Sequence, residues 1–288
     1  MPLARPVVCL PVDVDRSPAP LAALVPSYRP IFDRLLAVCE GDERIRALWL
    51  SGSLAKGTAD GGSDLDCLLA IRDAEFDEFA GGWREWLATI TPTLLARELP
   101  FARGSFSSTT TGCERLDVVC EPVSKLPASR FRHRHVVFDR DGLDATIPPP
   151  EERPGPDLDR LRATTEEFFR IEAITPFMLN QRRDYLCVVQ GVQDLQRILY
   201  NLFVECNQPQ PPMGVKQWSA RLTPQQREIL TTLPVAAPER ESLLAALRAV
   251  GNAMRTAGRT AMTACGGDWP ADLDEGVRRF TRQSLPGG

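Results

Sequence analysis

Histidine is almost missing from this sequence: His133 and His135 are the only two among 288 residues. Both lie between arginines in FRHRHVVF, where neighbouring positive charge lowers an imidazole pKa, and neither stands near a Ser or Cys nucleophile motif. They read as surface histidines. The sequence also lacks G-x-S-x-G and G-x-x-x-x-G-K-[ST], so a hydrolase triad or a Walker-type phosphate loop has no support. Excess positive charge is absent too. The net charge is −4 with a pI near 5.4, which argues against a protein built to grip a long nucleic acid. No apolar run reaches the 18 residues of a membrane span. The N-terminus, MPLARPVVCLPVDVDRSPAP, is too short in apolar core and too broken by proline for a signal peptide. A cytoplasmic location is the expectation. The eight cysteines (Cys9, Cys39, Cys67, Cys113, Cys120, Cys187, Cys206 and Cys265) form no C-x-x-C pair, so they read as scattered, reduced core residues and not as a zinc site or a disulfide framework.

Lysine is scarce as well. Lys56, Lys125 and Lys216 stand among 34 basic residues, and where arginine serves nearly everywhere else, a retained lysine suits a need for a compact point charge. That draws attention to Lys56 and Lys216, and less to Lys125. The acidic excess is confined to residues 1–150, which carry 21 acidic against 17 basic side chains, while the remainder is balanced.

What is present divides at IPPPEERPGPD, a proline cluster over residues 147–157. The expected organisation is an extended arm over residues 1–26, an α/β domain over 27–147, a proline-rich linker over 148–156 and an all-helical domain over 157–288. In the α/β part, YRPIFDRLLAVC has helical spacing over 28–39. Strands are expected over 45–51, 63–71, 93–99, 103–109, 115–121 and in HVVFDRDG. DAEFDEFAGGWREWLATI spaces Phe76, Phe79, Trp83, Trp86 and Leu87 as one amphipathic helix over 73–90, weakened by Gly81 and Gly82. Beyond the prolines, helices are expected over 157–173, 178–205, 215–222, 224–232, 238–263 and 271–283. The second has a broad apolar face, from Tyr185 through Phe203, that must be buried in a bundle or at a subunit contact, which makes a homodimer through the helical half one outcome.

The chemistry concentrates in LWLSGSLAKGTADGGSDLDCLLAI, residues 48–71. Side chains alternate along a strand, so Asp64 and Asp66 share a face. Two adjacent carboxylates repel, and a hard divalent cation with oxygen ligands is the simplest neutraliser. Gly52 and Ser53, at the end of the preceding strand, offer backbone N–H groups and a hydroxyl to a phosphate. A strand-start or capping role would serve for Asp64 alone, but not for Asp66, which lies inside an apolar strand where an unpaired carboxylate is costly, and the metal reading is preferred for both. A solvated loop lysine is nearly as good a description of Lys56 as a phosphate ligand, and Gly57, Gly61 and Gly62 read as turn formers.

Gly52-Ser53 followed by ten residues and Asp64-Leu65-Asp66 resembles the signature of the DNA polymerase beta-type nucleotidyltransferase superfamily, over residues 28–145. The resemblance implies a Gly-Ser turn on the nucleoside triphosphate and two magnesium ions held by the Asp-x-Asp strand and a third carboxylate. Asp117 in RLDVVCE stands where that third carboxylate belongs, as metal ligand or as general base toward the acceptor hydroxyl. An α/β half followed by a helical half is similar to the antibiotic nucleotidyltransferases. The segment through Asp66 and HVVFDRDGL are similar in order to the lincosamide-modifying branch, and RLDVVCEP to the streptomycin and spectinomycin adenylyltransferases. PPMGVKQWSARL resembles a segment that brings a lysine, here Lys216, to the triphosphate. The implied reaction is transfer of a nucleoside monophosphate, AMP by preference, from an NTP to a hydroxyl of a small molecule such as an aminoglycoside or lincosamide. A protein nucleotidyltransferase, an antitoxin-like partner and a degenerate nucleotide-binding module are the alternatives. A polycationic acceptor needs clustered carboxylates, for which Glu166, Glu167, Glu172, Asp184 and Glu205 are available.

Overall fold

The computed structural model describes residues 18–151, 155–210 and 216–285. Most of the expected N-terminal arm, residues 1–17, lies outside the described residues; its end forms a 3₁₀ turn, Ala19–Ala23, that buries Leu21. The chain forms two compact units, residues 1–151 and 152–288.

The first unit is a six-stranded mixed sheet with helices. Helix α1 (Tyr28–Gly41) leads into β1 (Ile45–Leu50), a one-turn helix α2 (Gly52–Ala55) and β2 (Leu65–Ile71). Helices α3 (Phe76–Gly81) and α4 (Trp83–Ala88) follow, then β3 (Thr93–Glu98), β4 (Phe106–Thr110), β5 (Arg115–Pro122) and β6 (His135–Asp139). The strand order is β3-β4-β5-β2-β1-β6, antiparallel throughout except for the parallel pair β2–β5. The single helix expected over 73–90 is in fact a 3₁₀ turn and two short helices. Gly82, with φ −103° and ψ 15°, leaves the helical region, and without a Cβ there is little to hold it in.

The two faces of the sheet differ. One face, with Ile45, Leu48, Leu50, Leu65, Cys67, Leu69, Leu116, Val118 and Phe106, packs against Phe32 and Leu35 of α1 and against Phe79, Trp83 and Trp86. Trp83 stacks on Phe106 with ring centroids 4.9 Å apart. The other face carries a smaller core in which Trp49, Leu68, Ala70 and Val119 meet Leu126, Leu143 and Ile147. That cluster covers only part of the face. Alternation then carries Asp66 and Asp117, two residues before Leu68 and Val119, onto this same face, where both are half-buried.

The second unit is helical: α5 (Leu158–Phe177), α6 (Tyr185–Cys206), α7 (Pro224–Thr232), α8 (Arg240–Ala253), α9 (Arg259–Ala264) and α10 (Ala271–Ser284). Asp157 caps α5 and Asp184 caps α6 by accepting from backbone N–H groups, and Thr223 and Gln226 form a capping box on α7. The segment expected as a helix over 178–205 breaks after a wide turn at Arg183, a left-handed residue with φ 53°. Over 215–222, Val215 lies outside the described residues and only a 3₁₀ turn at Ser219–Arg221 forms. The segment over 238–263 forms α8, a π-turn at Met254–Gly258 and then α9. The apolar face of α6 is buried within this unit's own core with Leu161, Phe168, Leu243 and Val250, so bundle packing accounts for it. Cys39, Cys67 and Cys120 are buried, as a core role requires, whereas Cys113 and Cys187 are exposed. No helix among the described residues is long and apolar enough to cross a membrane.

Candidate active site

The register of the sheet assembles a row of residues that lie far apart in sequence. Asp66 on β2 pairs with Asp117 on β5, Asp117 pairs with Ser107 on β4, and Ser107 pairs with Arg97 on β3. Residues paired across strands project from the same face, and neighbouring strands lie about 5 Å apart, so Asp66 and Asp117 stand side by side. At the end of the row the chain leaves β1, and the Ser51 N–H donates to the carbonyl of Asp66 at 2.9 Å.

Gly52 is fixed there by two independent demands. Its φ is +57°, a left-handed conformation, and a Cβ added to it would lie 1.9 Å from Asp66 Oδ2. The carboxylate of Asp66 therefore rests against bare backbone at the start of the Gly-Ser turn. No other residue type leaves that space open. Ser53 follows in α2, half-buried, and its carbonyl accepts from the Thr58 N–H at 3.0 Å, which closes the turn.

Asp64 stands one residue before β2, beside Arg115, the first residue of β5, and the two form an ion pair. Arg115 is itself anchored. Its guanidinium donates to the Gly62 carbonyl at 3.0 Å, and its backbone N–H donates to the Tyr28 hydroxyl at 3.1 Å. Asp64 thus faces a fixed positive charge, whereas Asp66 and Asp117 face each other. Among the described residues no three His, Cys, Asp or Glu side chains form a group able to hold a metal ion. The donor chemistry still fits a hard divalent cation, because Asp66 and Asp117 are paired carboxylates on an accessible polar face, with Gly52 making room for one of them.

Lys56 caps the C-terminal end of α2. A cavity of about 310 Å³ beside that helix is lined by Ala55, Arg132 and His133. The pKa of His133 is lowered, first by burial and then by the charge of Lys56. The positive charge acting on this histidine comes from across the turn and not from the flanking arginines. Those arginines are themselves occupied: Arg132 pairs with Glu151, and Arg134 with Asp144, whose carboxylate also accepts from Trp49 Nε1. Lys216 belongs to the helical unit and is exposed.

Further along the face of Asp117, Glu121 is pushed above its ordinary pKa by burial, against the opposing hydrogen bond from Ser129 and the charges of Arg130 and Lys125. The acids of the helical unit that a cationic acceptor would need are all engaged. Glu166 pairs with Arg162 and Glu167 with Arg170; Glu172 holds Arg255; Asp184 caps α6; Glu205 accepts from the Asp157 N–H and pairs with Arg160.

Among solved structures the chain is similar to an aminoglycoside 6-adenyltransferase from Bacillus subtilis, with 12% identity over 89% of this chain and 98% of that one and a TM-score of 0.41. It is also similar to a cyclic dinucleotide synthase of Elizabethkingia meningoseptica determined with GTP and Apcpp, with 12% identity over 91% of each chain and a TM-score of 0.26. No family model and no curated protein matches the chain. Neither structural likeness bears on the chemistry, which rests on the arrangement of Gly52, Asp66 and Asp117.

Proposed function

We propose that this protein is a magnesium-dependent nucleotidyltransferase that moves a nucleoside monophosphate, AMP by preference, from an NTP to a hydroxyl of a small molecule. The observation that carries this reading is the in-register pair Asp66–Asp117, with the Asp66 carboxylate lying in the space left by Gly52 of the Gly-Ser turn. Asp66 and Asp117 would hold magnesium, with Asp64 joining them once it leaves Arg115. Bound there, two magnesium ions would supply charge neutralisation on the transferring phosphoryl group.

The chain's own groups do the remaining work. The backbone at Gly52 and the Ser53 hydroxyl would receive the phosphate tail, and Lys56 extends that positive rim toward His133. Lys216 is a further candidate for the tail. Asp117, flanked by Ser107 and Asp66 in the row, is the group placed to accept the proton of the acceptor hydroxyl. Because the candidate acids of the helical unit are engaged, a weakly charged acceptor of lincosamide type suits the chain better than a polycationic aminoglycoside.

Incubation with each α-labelled NTP, Mg²⁺ and a panel of lincosamides and aminoglycosides tests the proposal. Label should move to a small molecule and should fail to move with Asp66→Asn. Label on polypeptides alone would point instead to a protein nucleotidyltransferase. NTP binding without any transfer would mean a binding module.

A further inference from the structure

The helical unit contains a groove of about 730 Å³ between α5, α8 and α10, built from residues that take no part in the Asp row. Its floor is a buried ion network. Arg255 donates to both oxygens of Glu172 at 2.7 Å and to Asp274 at 2.6 Å, while Asp274 also accepts from Trp269 Nε1 at 3.0 Å. Gly251 is the residue that lets this network sit against α8, since a Cβ there would come within 2.9 Å of Glu172 Oε1. Both acids hydrogen-bond to one arginine, so two carboxylates face one guanidinium and the network keeps a net charge of −1.

The wall is different. Arg248 on α8 and Arg278 and Arg282 on α10 line the same groove, and their guanidinium groups make no hydrogen bond or ion pair among the described residues. Arg278 and Arg282 are four residues apart and so occupy one face of α10, with Thr281 between them also lining the groove. Many other arginines of this unit find an acid: Arg160, Arg162, Arg170, Arg197 and Arg255 all do. Against the net −1 of the floor, the three guanidinium groups leave the concavity an excess of two positive charges among the described residues, which focuses a positive potential within it.

We propose that this groove binds a small anion carrying phosphate groups. A guanidinium presents a planar fork of donors matched to phosphate oxygens. Arginines bordering one groove from two helices suit an anion with more acceptor oxygens than one carboxylate has, and a tetrahedral phosphate or a short polyphosphate supplies them. The volume lies within the range of small-molecule sites, about 300–1,000 Å³. Leu247 and Leu285 give part of the lining an apolar surface, which suits a ligand with a less polar body attached to the phosphate.

The test is calorimetric titration of the full chain in EDTA with inorganic triphosphate, and in parallel with citrate and with a short polyglutamate peptide. Binding of one equivalent of triphosphate is expected, at least tenfold weaker in R278Q/R282Q and partly recovered in R278K/R282K. D66N/D117N and S53A/K56Q should both bind it like the wild type, so the result is independent of the Asp row and of the phosphate contacts proposed at the Gly-Ser turn. The three arginines are exposed, and their replacement should leave the melting temperature unchanged. Absence of triphosphate binding at millimolar concentration, equal affinity in R278Q/R282Q, or loss of binding in D66N/D117N or in S53A/K56Q would each overturn the assignment. Tighter binding of polyglutamate or citrate than of triphosphate would overturn it in favour of an acidic partner or a carboxylate ligand.

Discussion

Gly52→Ala is the substitution whose consequence the structure fixes most tightly. The new Cβ would be placed 1.9 Å from Asp66 Oδ2, where contacts below 3.0 Å essentially never occur, and the residue would have to keep φ +57°. Holding an L-residue in the left-handed region costs about 1–2 kcal/mol, which for a unit of this size lowers the melting temperature by roughly 2–8 °C. The larger effect is local. Relief of the clash moves the Asp66 carboxylate by about 1 Å or more, and a displacement of that size in a reacting constellation costs on the order of 100-fold in rate. The assays are thermal melting, Mn²⁺ binding by electron paramagnetic resonance, and label transfer from α-labelled NTP. The variant should stay folded, bind Mn²⁺ more weakly and lose most of its transfer. A Gly52→Ala protein with wild-type Mn²⁺ binding and transfer would refute the claim that Gly52 exists to seat Asp66.

Asp66→Asn should abolish transfer while changing the melting temperature little, because removing one of two facing like charges relieves repulsion; a melt far below wild type would make Asp66 structural. Burial raises the pKa of Glu121, so the folded state holds its proton more tightly than the unfolded chain does. The associated stability is full below the ordinary value of 4.5 and is lost as pH rises through the higher folded value. Relative to Glu121→Gln, the wild type should therefore lose melting temperature between pH 4 and 8, and a difference that is flat with pH would contradict this. Arg255→Met would leave Glu172 and Asp274 buried without their shared counter-charge. A loss of about 3–5 kcal/mol is expected from urea unfolding monitored by the fluorescence of Trp269, and a loss under 1 kcal/mol would show that water compensates the acids.

Much of this was legible in the residues themselves. The apolar runs of β1, β2 and β5 gave those strands to within a residue or two, and the Gly-Ser turn and Asp66 lie where the spacing put them, but Asp64 falls just before β2 and pairs with Arg115 instead of sharing the strand face with Asp66. The pairing of Asp66 with Asp117 was not legible from periodicity, because it depends on a parallel contact across fifty residues whose register no local pattern sets. The same holds for Ser107 and Arg97. Their strands, FSSTT and TLLARE, alternate only weakly, so nothing in the sequence said which side chains would share the face of the aspartates. Arg115 escaped notice because it is one of many arginines and becomes special only by standing beside Asp64. The helix over 73–90 failed at Gly82, where propensity outweighed the apolar pattern, and the helix over 178–205 failed at Arg183. The acids of the helical unit looked available because sequence shows charges without their partners. Their partners are arginines three or four residues away for Glu166 and Glu167, but 83 residues away for Glu172.

The claim that Asp66 and Asp117 together form a cation-holding catalytic pair is tested most directly by titrating Mn²⁺ into the wild type, Asp66→Asn and Asp117→Asn in the presence of a non-hydrolysable NTP. Saturable binding to the wild type is expected, weakened at least tenfold in each variant and no further in the double variant, since each aspartate completes the same site. Wild-type binding in both single variants would contradict it.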